Sequence, residues 1–165
     1  MPMLLKGSCR CGAVRFEVES RTPVPYQLCY CSICRKQQGG GGYAINLGAD
    51  ANSLRIEGED HLGLYRATIR DEEHARSHHS KGERRFCREC GSALWLFDPT
   101  WPDLVHPFAS AIDTDLPAAP ARTHLMLKYK ASWVEPDIRQ DDKAFDLYPD
   151  ESIEDWHRRQ GLLEE

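Results

Sequence analysis

The sequence predicts a mainly β domain closed by one short C-terminal helix. Three observations predict it: many short alternating segments, turn residues between them, and a single convincing stretch with helical signals. Val14, Phe16 and Val18 alternate with Arg15, Glu17 and Glu19, the period-two pattern of a strand with one buried face. Further strands are expected over 24–31, 43–47, 53–57, 62–69, 83–87, 92–97, 104–110 and 123–130, with Gly, Pro, Asn and Asp at the breaks. The stretches 98–102 and 116–120 carry proline and no period, so both are expected to be loops. The helix is expected after Asp150, which can cap it; Ile153 and Trp156 share a face, Glu154 can pair with Arg158 and Asp155 with Arg159, and Gly161 can end it. Such a helix would pack as a lid or brace.

A chain of 165 residues reads as a single domain spanning 1–165. At that length it can bury roughly 70% of its unfolded surface, so its core does not depend on disulfides. The cysteine count, 7, is odd, and the apolar residues before Gly7 are too few for a signal peptide. The expected setting is the reducing cytoplasm, where clustered cysteines mean metal binding or catalysis. No stretch approaches the roughly 18 apolar residues of a membrane span, so no membrane partner is expected. A formal net charge of -5 and a pI near 5.8 argue against nucleic acid as the main partner. Charge is unevenly spread: Arg76, Lys81, Arg84, Arg85 and Arg88 stand around Cys87 and Cys90, while Glu135, Asp137, Asp141, Asp142, Asp146, Asp150, Glu151, Glu154 and Asp155 make the C-terminal stretch acidic. The acidic stretch reads as a solvated face. The basic group reads either as the same or as a rim for an anionic small molecule.

The seven cysteines fall into three groups, Cys9-Arg10-Cys11, Cys29-Tyr30-Cys31-Ser32-Ile33-Cys34 and Cys87-Arg88-Glu89-Cys90, with none left over. Residues i and i+2 of a strand share a face, so each Cys-x-Cys can offer two thiolates to one ion. Cys87-x-x-Cys90 followed by Gly91 has the spacing of a tight metal turn. Structural zinc takes four protein ligands and catalytic zinc three with a position open, and seven divides in that way. The central group alone can supply the three. Cys9, Cys11, Cys87 and Cys90 then make the four, cross-linking distant segments and coupling metal to folding. Spacing leaves other partitions open, for instance Cys9 and Cys11 with Cys29 and Cys31, leaving Cys34, Cys87 and Cys90. A redox pair at Cys87 and Cys90 lacks the βαβ context it would need.

Three motifs together, Gly7-Ser8-Cys9-Arg10-Cys11-Gly12-Ala13-Val14, Cys29-Tyr30-Cys31-Ser32-Ile33-Cys34-Arg35-Lys36-Gln37-Gln38-Gly39 and Arg85-Phe86-Cys87-Arg88-Glu89-Cys90-Gly91-Ser92-Ala93-Leu94, resemble the glutathione-dependent formaldehyde-activating enzymes, a family that includes centromere protein V. The resemblance covers a core of about 7–135, with 136–165 as a C-terminal extension. It implies a β-tent-like fold of packed antiparallel sheets, a structural zinc on Cys9, Cys11, Cys87 and Cys90, and a catalytic zinc on Cys29, Cys31 and Cys34. One position departs from the pattern: Tyr30 stands where the family has histidine. Strand alternation points it away from the metal, where it can alter a supporting hydrogen bond or a substrate contact.

Three thiolates on a dication leave a formal charge of minus one, which suits holding a substrate sulfur as a nucleophile better than polarising a carbonyl. The expected function is a carbon-sulfur lyase or synthase reaction that joins a thiol such as glutathione to formaldehyde or another small aldehyde, with two zinc ions per chain. Arg35, Lys36, Arg84 or Arg85 could bind the thiol's carboxylates. Gly39 to Gly42 could let amides approach the ligand or serve as a turn. Two alternatives stand beside this: a non-catalytic zinc-stabilised binding module, and an enzyme of the same scaffold with a different thiol. His78 and His79 lack ligand spacing, and His61, His74, His106, His124 and His157 carry no signal. Trp95, Trp101, Trp133 and Trp156 read as core or loop anchors.

Overall fold

The computed structural model describes residues 2–38, 40–71, 73 and 75–163. In chain order its main elements are β1 (Met3–Ser8), β2 (Arg15–Ser20), β3 (Tyr26–Cys29), α1 (Ser32–Gln38), β4 (Ala44–Asn46), β5 (Ala49–Asp50), β6 (Arg55–Glu57), β7 (Leu62–Tyr65), β8 (Thr68–Asp71), β9 (Arg76–His79), β10 (Glu83–Cys87), β11 (Ala93–Phe97), β12 (Leu104–Pro107), β13 (Arg122–Leu125), β14 (Lys143–Ala144) and α2 (Ile153–Arg159). The mainly β architecture with a short C-terminal helix is the one that the sequence predicts. A three-stranded sheet β1-β2-β6 and a five-stranded sheet β5-β12-β11-β10-β7 are antiparallel throughout. A four-stranded sheet β14-β13-β3-β4 is mixed, with β13 parallel to both its neighbours and β3 antiparallel to β4. β8 and β9 form a separate, wholly exposed hairpin.

Alternation in β2 sends Phe16 and Val18 inward, where they meet Leu5, Leu94, Trp95 and Val105 in the main core. The Phe16 ring meets Trp95 edge-on with centroids 5.0 Å apart, a geometry favoured by the ring quadrupoles. A Cβ at Gly7 would lie 2.3 Å from that ring, so only glycine lets β1 lie this close. β1 itself was not expected, since Met3-Leu4-Leu5-Lys6-Gly7-Ser8 has no clear alternation to signal it.

Several expected strands are shorter, for local reasons. The span 24–31 ends at Cys29 because helix α1 begins two residues after Tyr30. The span 62–69 breaks around Ala67, which turns inward and is 2% exposed. The span 123–130 stops at Leu125 because Met126 takes the left-handed conformation at φ 60. The span 53–57 yields only β6 because residues 51–53 form a 3-10 turn capped by the Asp50 side chain. The span 104–110 stops at Pro107 before another 3-10 turn at 109–111. Both 98–102 and 116–120 lie outside strands and helices, as expected.

The C-terminal helix is present, but Asp150 does not cap it. Ser152 does: its Oγ accepts from Asp155 N–H at 3.0 Å and donates to the Asp155 carboxylate at 2.8 Å. Arg158 pairs with both Glu154 and Asp155, so Arg159 turns instead to Glu151 at 2.8 Å. Gly161 follows in the left-handed conformation at φ 67. The helix is a brace: Trp156 is buried with Val24 and Ala121, and His157 bonds the Val24 carbonyl. Among the described residues no helix is long and apolar enough to cross a membrane.

Candidate metal centres

The fold gathers all seven cysteines into two clusters. Cys9 and Cys11 lie in the turn after β1, Cys87 ends β10, and Cys90 lies in the turn that leads to β11. Their four sulfurs fall within 4.8 Å of one another, with Cys9 to Cys11 at 3.5 Å and Cys11 to Cys87 at 3.8 Å. A tetrahedral ion with sulfur at about 2.3 Å requires sulfur–sulfur edges of about 3.8 Å, so these contacts have the right size. Backbone shapes the site: Val14 N–H donates to Cys9 Sγ at 3.3 Å, Gly91 N–H donates to the Cys87 carbonyl at 2.8 Å, and Arg10 N–H reaches Ser92 Oγ at 3.0 Å across the two turns. Gly91 has φ 78, a conformation that disfavours any side chain there. The hydroxyl and amide of Ser92 stabilise the Cys90 thiolate and bring its pKa down to about 5. Cys9 and Cys87 are buried, while Cys11 and Cys90 are exposed.

The second cluster is local. Cys29 is the last residue of β3, Cys31 lies between strand and helix, and Cys34 stands in the first turn of α1. Helical geometry, rather than a shared strand face, therefore brings Cys34 back to Cys31, and the Cys34 amide donates to Cys31 Sγ at 3.3 Å. The three sulfurs also lie within 4.8 Å of one another. Cys29 is 5% and Cys34 1% exposed. Sulfhydryl bonds from Cys29 and Cys34 hold Cys31 far below the ordinary thiol range, and sharing those protons pushes Cys29 up. Both clusters could hold a metal ion, and their all-sulfur donor sets suit zinc.

Arg84 faces the trio. On β10 it alternates with Glu83 and Arg85, so its side chain takes the opposite face of the strand from theirs. It is 8% exposed, and its Nη1 and Nη2 donate to Cys34 Sγ at 3.5 and 3.6 Å. Among the described residues no carboxylate forms an ion pair with it. Arg85 instead pairs with Glu83 at 3.6 Å and lines an apolar cleft with Trp95 and Phe97, away from Arg84. Arg35 and Lys36 both lie on α1; Lys36 is exposed, and Arg35 carries a buried Nε without a partner. Gly40 and Gly42 take left-handed turn conformations, and Gly39 lies outside the described residues. Met126, which sequence reasoning did not single out, packs on the trio from its left-handed position.

Tyr30 points to the back of the β3 sheet, as alternation implies. It is 1% exposed, and its hydroxyl meets His124 Nδ1 at 2.8 Å. His124 Nε2 meets Asp142 Oδ2 at 2.9 Å, and Arg122 donates to the same carboxylate through Nε at 3.0 Å. Burial disfavours a charged Asp142, but bonds from His124, the Arg139 and Arg122 amides and the Arg122 side chain outweigh it and set its pKa at about 2. The ionised carboxylate accepts from Nε2–H, which leaves Nδ1 to accept from Tyr30. The solvated role expected for Asp142 therefore fails: its side chain is 0% exposed, buried by these partners. His124 gave no signal in sequence because a lone histidine in a short strand has no period or spacing to mark it.

The other histidines stay outside both clusters. His78 and His79 are exposed on β9, His61 pairs with Glu89 at 3.1 Å, and His106 bonds the Leu47 carbonyl at 2.9 Å. His74 lies outside the described residues. Trp95 and Trp156 are core residues, whereas Trp101 and Trp133 are exposed.

Residues 4–128 match the family model described as glutathione-dependent formaldehyde-activating enzyme. The chain belongs to that family. A Halomonas elongata protein whose name carries the same description is 59% identical over 162 residues, covering 98% of this chain and 99% of that protein. A solved Rhodobacter sphaeroides protein shares 26% identity over 68% of this chain and 91% of its own, with a TM-score of 0.48. The part matched to the formaldehyde-activating family holds all seven cysteines, Arg84, Arg122 and His124, whereas Asp142 lies beyond it.

Proposed function

We propose that this chain is a zinc-dependent enzyme of the carbon-sulfur lyase type, which joins a thiol such as glutathione to formaldehyde or a related small aldehyde. One observation carries the reading: a buried guanidinium, Arg84, whose side-chain partner is a cysteine sulfur rather than a carboxylate, faces three thiol donors from one short segment. Cys29, Cys31 and Cys34 would hold the catalytic zinc, and Cys9, Cys11, Cys87 and Cys90 a structural one. Seven free cysteines suit a reducing cytoplasm, where glutathione is the abundant thiol.

Zinc bound at the trio supplies deprotonation and orientation of an incoming thiol at neutral pH. The chain's own residues do the rest. Cys29, Cys31 and Cys34 would supply three of the four donors that zinc takes, which leaves one position for a substrate sulfur. When that sulfur's electron pair adds to the aldehyde carbon, the carbonyl π pair moves to oxygen, which takes up the proton released by the thiol to give S–CH2–OH. Arg84, 8% exposed, would donate to that oxygen as charge develops there. It also offsets the negative charge of the trio. Arg35 and Lys36, on the helix that carries Cys34, would hold a substrate carboxylate; Arg85, on the far face of β10, is dropped from this role.

Elemental analysis should find about two zinc ions per chain; one ion in fully folded protein would leave the trio without its metal. The uncatalysed addition is quick and reversible, so product alone proves nothing. Magnetisation transfer between formaldehyde hydrate and its glutathione adduct measures exchange at equilibrium, and wild type should accelerate it while Cys34→Ser does not. Acceleration with another thiol but not glutathione would move the substrate assignment. No acceleration with any thiol would leave a zinc-stabilised binding module.

A further inference from the structure

The mechanism above makes no use of a buried polar network behind β3. Tyr30 stands between two ligand cysteines, and it is fixed at both ends: its amide donates to the Leu125 carbonyl at 3.1 Å and its hydroxyl reaches His124 at 2.8 Å. The peptide planes on either side of Tyr30 carry Cys29 and Cys31, so a residue held at two points restricts both sulfurs. His124 in turn is fixed by Asp142 at 2.9 Å, and Asp142 by Arg122. Around this chain of bonds the segment 142–147 is tied to 124–128: Phe145 N–H donates to the His124 carbonyl at 2.9 Å, and Met126 N–H to the Leu147 carbonyl at 2.8 Å. Met126 is also the residue that packs on the trio.

We propose that Tyr30, His124 and Asp142 form a positioning network through which the segment beyond the family-matched core holds the Cys29–Cys31 backbone at the spacing a metal requires. Buried polar chains of this kind give no more stability than well-packed apolar side chains of the same volume. What they add is direction, since a hydrogen bond fixes geometry where an apolar contact tolerates sliding. Metal sites need that definition: ligand distances are tolerated to within about 0.2 Å, and loss of a residue supporting a ligand weakens binding by roughly 10–100-fold. The trio lies on a strand end, a connecting residue and a short helix, so its own secondary structure does not supply it. The four-cysteine cluster is held differently: bonds within its two turns shape it, and the His61 side chain meets Glu89 at 3.1 Å while the His61 carbonyl accepts from Arg88 N–H at 2.8 Å, with no contact to the Tyr30–His124–Asp142 chain among the described residues.

Cobalt loading followed by chelator competition tests this, with Cys34→Ser marking which absorption bands belong to the trio. Tyr30→Phe and Asp142→Asn should each release trio cobalt about 10–100-fold more readily and shift its d–d bands, while cobalt at the four-cysteine cluster keeps wild-type retention. The double variant should be no worse than either single one, because a broken network cannot be broken twice. His124→Gln, whose amide can accept from Tyr30 and donate to Asp142, should recover most of the retention that His124→Leu loses. Unaltered trio bands and retention in Tyr30→Phe would overturn the inference, as would equal weakening at both clusters. Should Tyr30→Phe fail to fold, the near-isosteric Asp142→Asn is read by the same criteria; failure of both to fold assigns the network to the fold and overturns it too. The inference rests on the trio being a metal site. Wild type taking up cobalt at the four-cysteine cluster alone would sink that reading and this inference together, whereas two cobalt sites with unaltered variants would sink the inference alone.

Discussion

The two cysteine clusters use the same donor atom for opposite ends. One joins the turn after β1 to the turn after β10 and leaves Cys11 and Cys90 exposed. The other draws on six consecutive residues, buries Cys29 and Cys34, and is faced by an arginine that donates to Cys34. Exposure of a sulfur is therefore no guide to chemistry here. What distinguishes the clusters is which chain segments they join and which charges surround them: one joins turns far apart in sequence, whereas the other is local and lies beside a buried cation.

The largest effect should come from breaking the cross-link. Cys87→Ser removes a buried ligand from a site whose metal-binding energy, on the order of 10 kcal/mol for structural zinc, is coupled to folding, so the domain should lose its cooperative transition in a circular dichroism melt. Cys34→Ser should stay folded and melt within a few degrees of wild type. Equal destabilisation by the two would erase the distinction between the clusters. The next effect belongs to the charge. Arg84→Gln should slow glutathione–formaldehyde exchange by roughly 100-fold with both metals retained, because it removes a buried donor. Arg84→Lys should recover part of that rate through charge alone. A full rate in Arg84→Gln would show that the cation does not assist the chemistry. The smallest effect tests the brace. Ser152→Ala should cost about 1 kcal/mol in a thermal melt and leave metal content unchanged at both clusters; loss of trio metal in that variant would mean that α2 supports the trio as well as the core.

The trio was legible in the sequence because cysteine spacing is short-range information: Cys29, Cys31 and Cys34 can only be neighbours, and Gly91 after Cys90 marks a tight turn, whereas spacing left other partners open for Cys9 and Cys11. The orientation of Tyr30 was legible for the same reason, through alternation along β3. Helix α1 was not, since Ser32-Ile33-Cys34-Arg35-Lys36-Gln37-Gln38 makes barely two turns and shows no period. Arg84 could be read as a cation near cysteines, but not as one aimed at Cys34, because that contact joins residues 50 apart in sequence. Asp142 was hidden for a further reason. It sits among Asp141, Asp137 and Asp146, all of which look solvated, and only the parallel pairing of β13 with β14 places it beside Arg122 and His124. Composition reports the average of such a stretch, and one buried carboxylate does not alter it.

The separation of 76 residues between Cys11 and Cys87 also sets an order of events at the ribosome. At roughly 5–20 residues per second, synthesis takes about 4 to 15 seconds to supply the second half of that cluster. Cys29, Cys31 and Cys34 leave the ribosome within a second of one another, long before Arg84, His124 or Asp142 exist to confine them. The newborn chain therefore presents Cys29, Cys31 and Cys34 first and completes the four-cysteine cluster later, and for those seconds the trio could capture a metal that the finished fold must accept or reject.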